Sequence, residues 1–191
     1  MDARTSSHEP RDAARRADAR RNRERILAAA RDAFNKPAAD VSMAEIARRA
    51  GIGPATLYRN FANRRGLLEA LYVDEIDALC AAAAETDAVR GQSDRFLGWL
   101  RRFYDYFVSK RFVAEALLEH AGAESPVFGT GYARVVAAGR PLLQAAVVSG
   151  DIHTELSLEQ ILDLIASVAK IQGSADYRQP ILEVVLATLG A

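Results

Sequence analysis

From about residue 21 onward the apolar positions of this chain recur three and four apart. No run alternates with period two for long, so the protein is expected to be all-α. Ile26, Leu27, Ala30 and Phe34 form one stripe over about residues 21–35, opposite Arg23, Glu24, Arg31 and Asp32. Lys36, Pro37 and the polar residues to Asp40 end that helix. Two short helices about a tight turn follow in SMAEIARRAGIGPATLYRNFANRR, residues 42–65. Ser42 is expected to cap the first, Ile46, Ala47 and Ala50 form its apolar side, and Gly51 supplies the positive φ that a sharp exit needs. Leu57 and Phe61, four apart, make the inner face of the second, and Ala47 is small enough for the two to cross closely. The result is a helix-turn-helix whose outer face carries Thr56, Tyr58, Arg59 and Asn60, groups suited to phosphates and base edges.

Downstream, Asn63 is placed to cap a helix with Leu67, Leu68, Leu71, Ile76 and Leu79 that runs to about Glu85, long enough to connect two domains. A helix over about 94–110 carries Phe96, Leu97, Trp99, Leu100, Phe103, Tyr104, Tyr106 and Phe107, too many for a solvent-facing helix. Either it is buried on most sides, or some of its rings line a cavity. A shorter helix is expected at 112–121, then a segment with Phe128 and Tyr132 that runs to Val148 with a kink at Gly139 and Pro141. Two last helices cover about 158–172 and 179–189. Their apolar residues, among them Ile161, Ile165, Val168, Ile181, Val185 and Leu189, cover more than one stripe. That excess is what a helix pair shared between two subunits needs; a pair wholly internal to a monomer is the alternative.

Residues 1–20 are polar and lack the apolar groups that repay ordering, so they are expected to be a disordered basic arm. Its Arg15, Arg16, Arg20 and Arg21 either lie along phosphates, reach into a minor groove, or remain solvated. The expected organisation is the arm 1–20, a helix-turn-helix domain 21–66 and a larger helical domain 67–191.

Charge sharpens this division. The formal net charge is zero, with 25 Lys plus Arg and 25 Asp plus Glu, yet residues 1–72 hold 15 basic against 9 acidic side chains and residues 73–191 hold 10 against 16. A basic amino-terminal third beside an acidic remainder fits a polyanion bound at one end. No apolar run is long enough for a membrane span and the amino terminus has no signal-like core, so a soluble, cytoplasmic protein is expected.

Catalytic and metal chemistry find little support. Cys80 is the single cysteine, so there is neither a disulfide framework nor a thiolate cluster. His120 stands near Glu119 and Glu124 without a second histidine or cysteine at ligand spacing, and no Gly-x-Ser-x-Gly elbow or glycine-rich phosphate loop occurs. No enzyme, cofactor or metal is expected.

The run SMAEIARRAGIGPATLYRNFANRRGLLEALY resembles the amino-terminal domain of TetR-family transcriptional regulators. An Ile-Ala pair, an Ala-Gly turn, a Thr-Leu-Tyr trio and a basic residue opening the next helix recur there. The resemblance covers about residues 20–72. It implies that the hydroxyls of Thr56 and Tyr58 touch DNA phosphates and that Pro54 and Ala55 face base edges. Arg59 stands at a variable position suited to guanine. Asn60, where histidine is common, is able to donate to phosphate; Arg64, where lysine is common, offers its backbone N–H at a helix amino terminus that attracts an anion; and Ser42 adds a hydroxyl. Gly53 replaces the usual Ser or Thr cap, and Ala55 a frequent glycine. The family further implies a homodimer on a palindromic double-stranded operator, and an effector cavity lined by Trp99, Phe103, Tyr106, Phe107, Phe128 and Tyr132, whose alternative role is core packing. The expected function is a ligand-responsive repressor released by a small lipophilic effector. The alternative is a DNA-binding protein whose larger domain binds another protein.

Overall fold

The computed structural model describes residues 9–34, 41–85, 91–121 and 126–189. They form eight α-helices, with no strand among the described residues: α1 Glu9–Phe34, α2 Met43–Arg49, α3 Pro54–Asn60, α4 Arg64–Ala84, α5 Gln92–Ala121, α6 Pro126–Val148, α7 Leu158–Lys170 and α8 Ala175–Leu189. Two compact units divide between Leu71 and Tyr72, within α4. None of these helices is long and apolar enough to cross a membrane.

In the first unit, α1 packs on α2 and α3, and α2 on α3. Ile26, Ala30 and Phe34 of α1 meet a core that includes Ile46, Leu57, Leu67 and Leu68, all fully or almost fully buried. The sequence stripe of α1 is thus its inner face. Its beginning differs from expectation, since residues 9–20 are the first turns of α1 rather than a disordered arm. The composition that argues against a core there, Ala and Arg, is also among the best for helix formation. The Arg20–Glu24 and Arg21–Asp18 pairs stand at helical spacing along it.

In the second unit, α5 packs against α6 and α7, and α7 packs also against α6 and α8. The two helices expected at 94–110 and 112–121 are one α5 of 30 residues, for no Gly or Pro interrupts the chain between Lys110 and Phe112. Likewise α6 continues through Gly139 and Pro141. Helix α7 opens on a reciprocal cap: Ser157 Oγ accepts from Gln160 N–H, and Gln160 Oε1 accepts from Ser157 N–H at 2.8 Å. Helix α8 begins at Ala175, ahead of the expected Gln179, because Ser174 Oγ accepts the Tyr177 N–H at 3.2 Å and caps it there.

Trp99 is the wedge of this unit. Only 2% exposed, it donates its indole N–H to the Leu79 carbonyl of α4 at 3.1 Å. Its six-membered ring lies on Gly139 of α6, where a Cβ would stand 2.3 Å from Cη2. The ring cannot retreat without giving up its buried hydrogen bond.

Gly139→Ala is therefore expected to destabilise the protein by roughly 1–3 kcal/mol through overpacking, more than the ~1 kcal/mol that alanine gains in helix propensity. Gly129, exposed in the same helix with nothing within 4 Å of an added Cβ, is the control. Gly129→Ala should be neutral to stabilising in urea denaturation, and equal effects at the two sites would refute the wedge.

Candidate nucleic-acid interface

The helix-turn-helix is built by local chemistry. Ser42, in extended conformation, accepts the Glu45 N–H on its Oγ at 3.2 Å and caps α2. At the other end Gly51 has φ +63°. Around it the Ile52 N–H reaches the Ala47 carbonyl at 3.0 Å and the Gly51 N–H reaches the Arg48 carbonyl at 3.1 Å. These two bonds are a Schellman closure, which needs a left-handed residue at this point. The Gly51 carbonyl, three residues before α3, accepts from Arg25 Nη2 of α1 at 3.2 Å. A Cβ on Gly51 would come within 2.8 Å of that same nitrogen.

Helix α3 opens with Pro54 at its first position and Gly53 as a cap without a side chain, whose carbonyl accepts from Thr56 and Leu57. Leu57 is fully buried and Phe61 nearly so, as their spacing implies. Pro54, Ala55, Tyr58 and Arg59 are exposed, Tyr58 by 52%. Thr56 and Asn60 are half-buried, and the Asn60 amide donates to the Thr56 carbonyl at 2.8 Å. α3 thus presents an apolar N-terminal patch, a phenol and a guanidinium on one outward surface.

The Arg64 side chain is held within the unit. It is half-buried, its guanidinium donates to the Val41 carbonyl, and it lies 5.0 Å from the centre of the Phe34 ring. Its side chain is therefore engaged inside the unit, tying the start of α4 to α1 and to the residue before Ser42. Next to it, Asn63 Oδ1 accepts the Gly66 N–H at 2.8 Å, the expected cap of α4. Two contacts had no sequence signal: Arg25 on Gly51, and Arg23 stacked 4.6 Å over the Phe61 ring. A third was legible at i+3 and i+4 spacing. Glu45 takes bonds from Arg48 and Arg49, at 2.7 Å each, which hold its carboxyl down from 4.5 to about 2, Arg48 being the stronger cause.

The aromatic set of the second unit divides. Trp99 and Phe103 are buried, and the rings of Phe96, Trp99, Phe103 and Phe107 follow one another with centroids 4.8–6.4 Å apart. Tyr106 is hydrogen-bonded to Tyr72, and burial pushes its hydroxyl far above the ordinary phenol range. Phe128 meets Tyr72 edge-on at 5.2 Å, while Tyr132 is partly exposed. One hollow of about 190 Å³, with Tyr72, Ile76, Val127, Thr130, Gly131 and Arg134 in its wall, lies between α4 and α6. A second, of about 170 Å³, includes Trp99 with Glu85, Asp94, Arg95 and Arg102. Phe103, Tyr106, Phe107, Phe128 and Tyr132 line neither: Phe107 packs on both Phe103 and Tyr106, Phe128 packs on Tyr72, and Tyr132 is exposed.

On the last two helices, Ile161, Ile165, Val168 and Leu189 belong to the core of the single chain, and Ile181 and Val185 are packed partly against it. They are the inner stripe. The apolar excess seen in the sequence faces outward as Leu164, Tyr177 and Val184, which are 40%, 61% and 65% exposed. His120, Glu119 and Glu124 fall outside the described side chains. Among the described residues no group of three metal-ligating side chains comes together.

A capped helix, a left-handed glycine turn and a short second helix with an exposed polar face define a helix-turn-helix regulator. A profile of bacterial regulatory proteins of the tetR family matches residues 26–71. A TetR transcriptional regulator from Streptomyces coelicolor is 31% identical, with 88% of this chain and 98% of that one covered at a TM-score of 0.76. A TetR regulator from Mycobacterium vanbaalenii is 27% identical over 92% of this chain and 99% of its own, also at 0.76. RolR, solved with resorcinol, shares the fold at 21% identity, 92% and 90% coverage and a TM-score of 0.55. A search of curated proteins finds no match. The chain belongs to the TetR family of transcriptional regulators and is a DNA-binding protein.

Arg64→Ala is expected to lower the stability of the first unit by about 1–3 kcal/mol, since it leaves the Val41 carbonyl without its donor. Urea denaturation of the DNA-free protein reads this; an unchanged midpoint would show that the Arg64 side chain adds nothing to the fold. For Glu45 the folded value lies below the unfolded one, so its contribution is present above its ordinary pKa of 4.5 and is lost as the pH falls through about 2. Acid titration by far-UV circular dichroism should show this component in the intact protein and not in Glu45→Gln.

Proposed function

We propose that this regulator is a repressor that binds a palindromic operator as a homodimer and is released by a small lipophilic effector. The observation that carries the reading is the outward surface of α3. Tyr58 and Arg59 stand exposed beside Pro54 and Ala55 on a helix whose other side is locked by Leu57 and Phe61. Thr56 and Tyr58 supply hydroxyls for phosphates, assisted by Asn60 and by Ser42 at the start of α2. Pro54 and Ala55 suit a thymine methyl, and Arg59 suits guanine.

Pairing is supported by α7 and α8. Tyr177 and Val184 are seven residues apart, two turns along one side of α8, and Leu164 projects from α7. A monomer gains nothing by exposing this row, whereas an isologous helix pair buries it. The effector is supported by the hollow at Tyr72, whose wall is mostly apolar and whose polar groups are the Tyr72 and Thr130 hydroxyls and the Arg134–Asp77 ion pair at its margin. Its size suits a single ring, and a structural relative was solved with resorcinol.

Footprinting on the DNA upstream of the protein's own gene is expected to give a protected palindrome. Tyr58→Phe should weaken binding about equally on all sequences, and Arg59→Ala should change which bases are preferred. Val184→Arg should give a monomer by sedimentation. Absence of any sequence-specific protection would reject the operator reading, and no thermal stabilisation by any of a panel of monocyclic lipophiles would reject the effector.

A further inference from the structure

Upstream of Ile26, α1 leaves its packing. Over residues 15–25 no side chain is buried, and the segment holds six arginines against Asp18 and Glu24 with nothing apolar larger than alanine. Such a helix has no core of its own to join. Its place of departure is fixed by two contacts: Arg23 on Phe61, the residue that follows α3, and Arg25 on the Gly51 carbonyl, just before α3 begins. Traced upstream in steps of four and three, the inner residues Phe34, Ala30 and Leu27 give way to Arg23, Arg20 and Arg16. The row starts beside Phe61 and extends about 10 Å along α1 at 1.5 Å per residue.

We propose that residues 15–23 of α1 form a second DNA-contacting element, an arginine row that binds the phosphates flanking the segment of duplex faced by α3. This rests on the reading of α3 as the DNA-facing helix. The charge is of the right sign and is available, because Arg15, Arg16, Arg20 and Arg21 are all exposed. The Arg20–Glu24 and Arg21–Asp18 pairs are themselves solvent-exposed, and ion pairs of that kind exchange for phosphate at little cost. Phosphate is the fitting partner. Each guanidinium that neutralises one releases condensed counterions, and a row on a single helix follows a backbone rather than a base edge.

The test compares the intact chain with Arg15→Ala/Arg16→Ala/Arg20→Ala, by fluorescence anisotropy on a mixed-sequence duplex of about 40 bp between about 50 and 200 mM salt. The triple variant should keep its thermal midpoint, since the three side chains are exposed and alanine favours helix. Its affinity should fall roughly tenfold, and the slope of log K against log salt should become shallower by about 0.9 for each phosphate that is no longer neutralised. The corresponding triple lysine variant should retain most of the slope. An unchanged slope in the alanine variant, or an equal fall in the lysine variant, overturns the inference. Tyr58→Ala separates the two readings: if it leaves binding untouched while the arginine variant loses it, α3 is misread and the arginine row stands.

Discussion

The left-handed turn at Gly51 is the constraint on which the DNA-binding unit depends. A residue with a side chain would be strained there by roughly 1–2 kcal/mol, and its Cβ would displace the Arg25 guanidinium that holds the Gly51 carbonyl. One backbone conformation thus ends α2, aims Ile52 back at the core side and gives α1 a polar grip on the segment that launches α3. The outward surface of α3 is a consequence of that turn. Tyr58 and Arg59 face outward because Leu57 and Phe61 have been turned in.

The larger unit is organised by a steric key rather than a turn. Trp99 reaches from α5 to a carbonyl of α4 and lies on bare backbone in α6. The second close approach repeats the device: Tyr72 of α4 lies against Gly131 of α6, where a Cβ would be 2.7 Å from the phenol oxygen. Two aromatic rings on two glycines of one helix set how near α6 comes to α4 and α5. The hollow at Tyr72 is what remains beside the second of these contacts.

What the sequence made legible is what is encoded within a few residues. The Ser42 and Asn63 caps, the positive φ of Gly51 and the inward Leu57 and Phe61 follow from spacing and residue type, and they appear where expected. Contacts made by long arginines do not follow. Arg25 bonds a carbonyl 26 residues away, and the Arg64 guanidinium folds back onto Val41, 23 residues upstream. Nothing local distinguishes a guanidinium that faces solvent from one that folds back. The aromatics of α5 pose the same problem, since a ring that lines a hollow and a ring that packs on its neighbour share one spacing. The apolar excess of α7 and α8 is visible in the sequence as more than one stripe, but periodicity gives the angle between two faces and not which of them is inside. Absence of apolar residues over 9–20 argues for disorder, whereas the alanines and arginines there have ample intrinsic preference for helix.

The inward Arg64 has a consequence for how such a regulator can diversify. Its guanidinium joins α1, the start of α2 and the start of α4, so a change at that position alters the scaffold before it alters any preference for DNA. Pro54, Ala55 and Arg59 have no such obligation, being exposed on a helix whose anchoring residues are elsewhere. Mutational freedom is thereby partitioned. A duplicated copy of this gene could change the outward surface of α3 through three codons of one seven-residue helix while the residues that make it fold remain untouched.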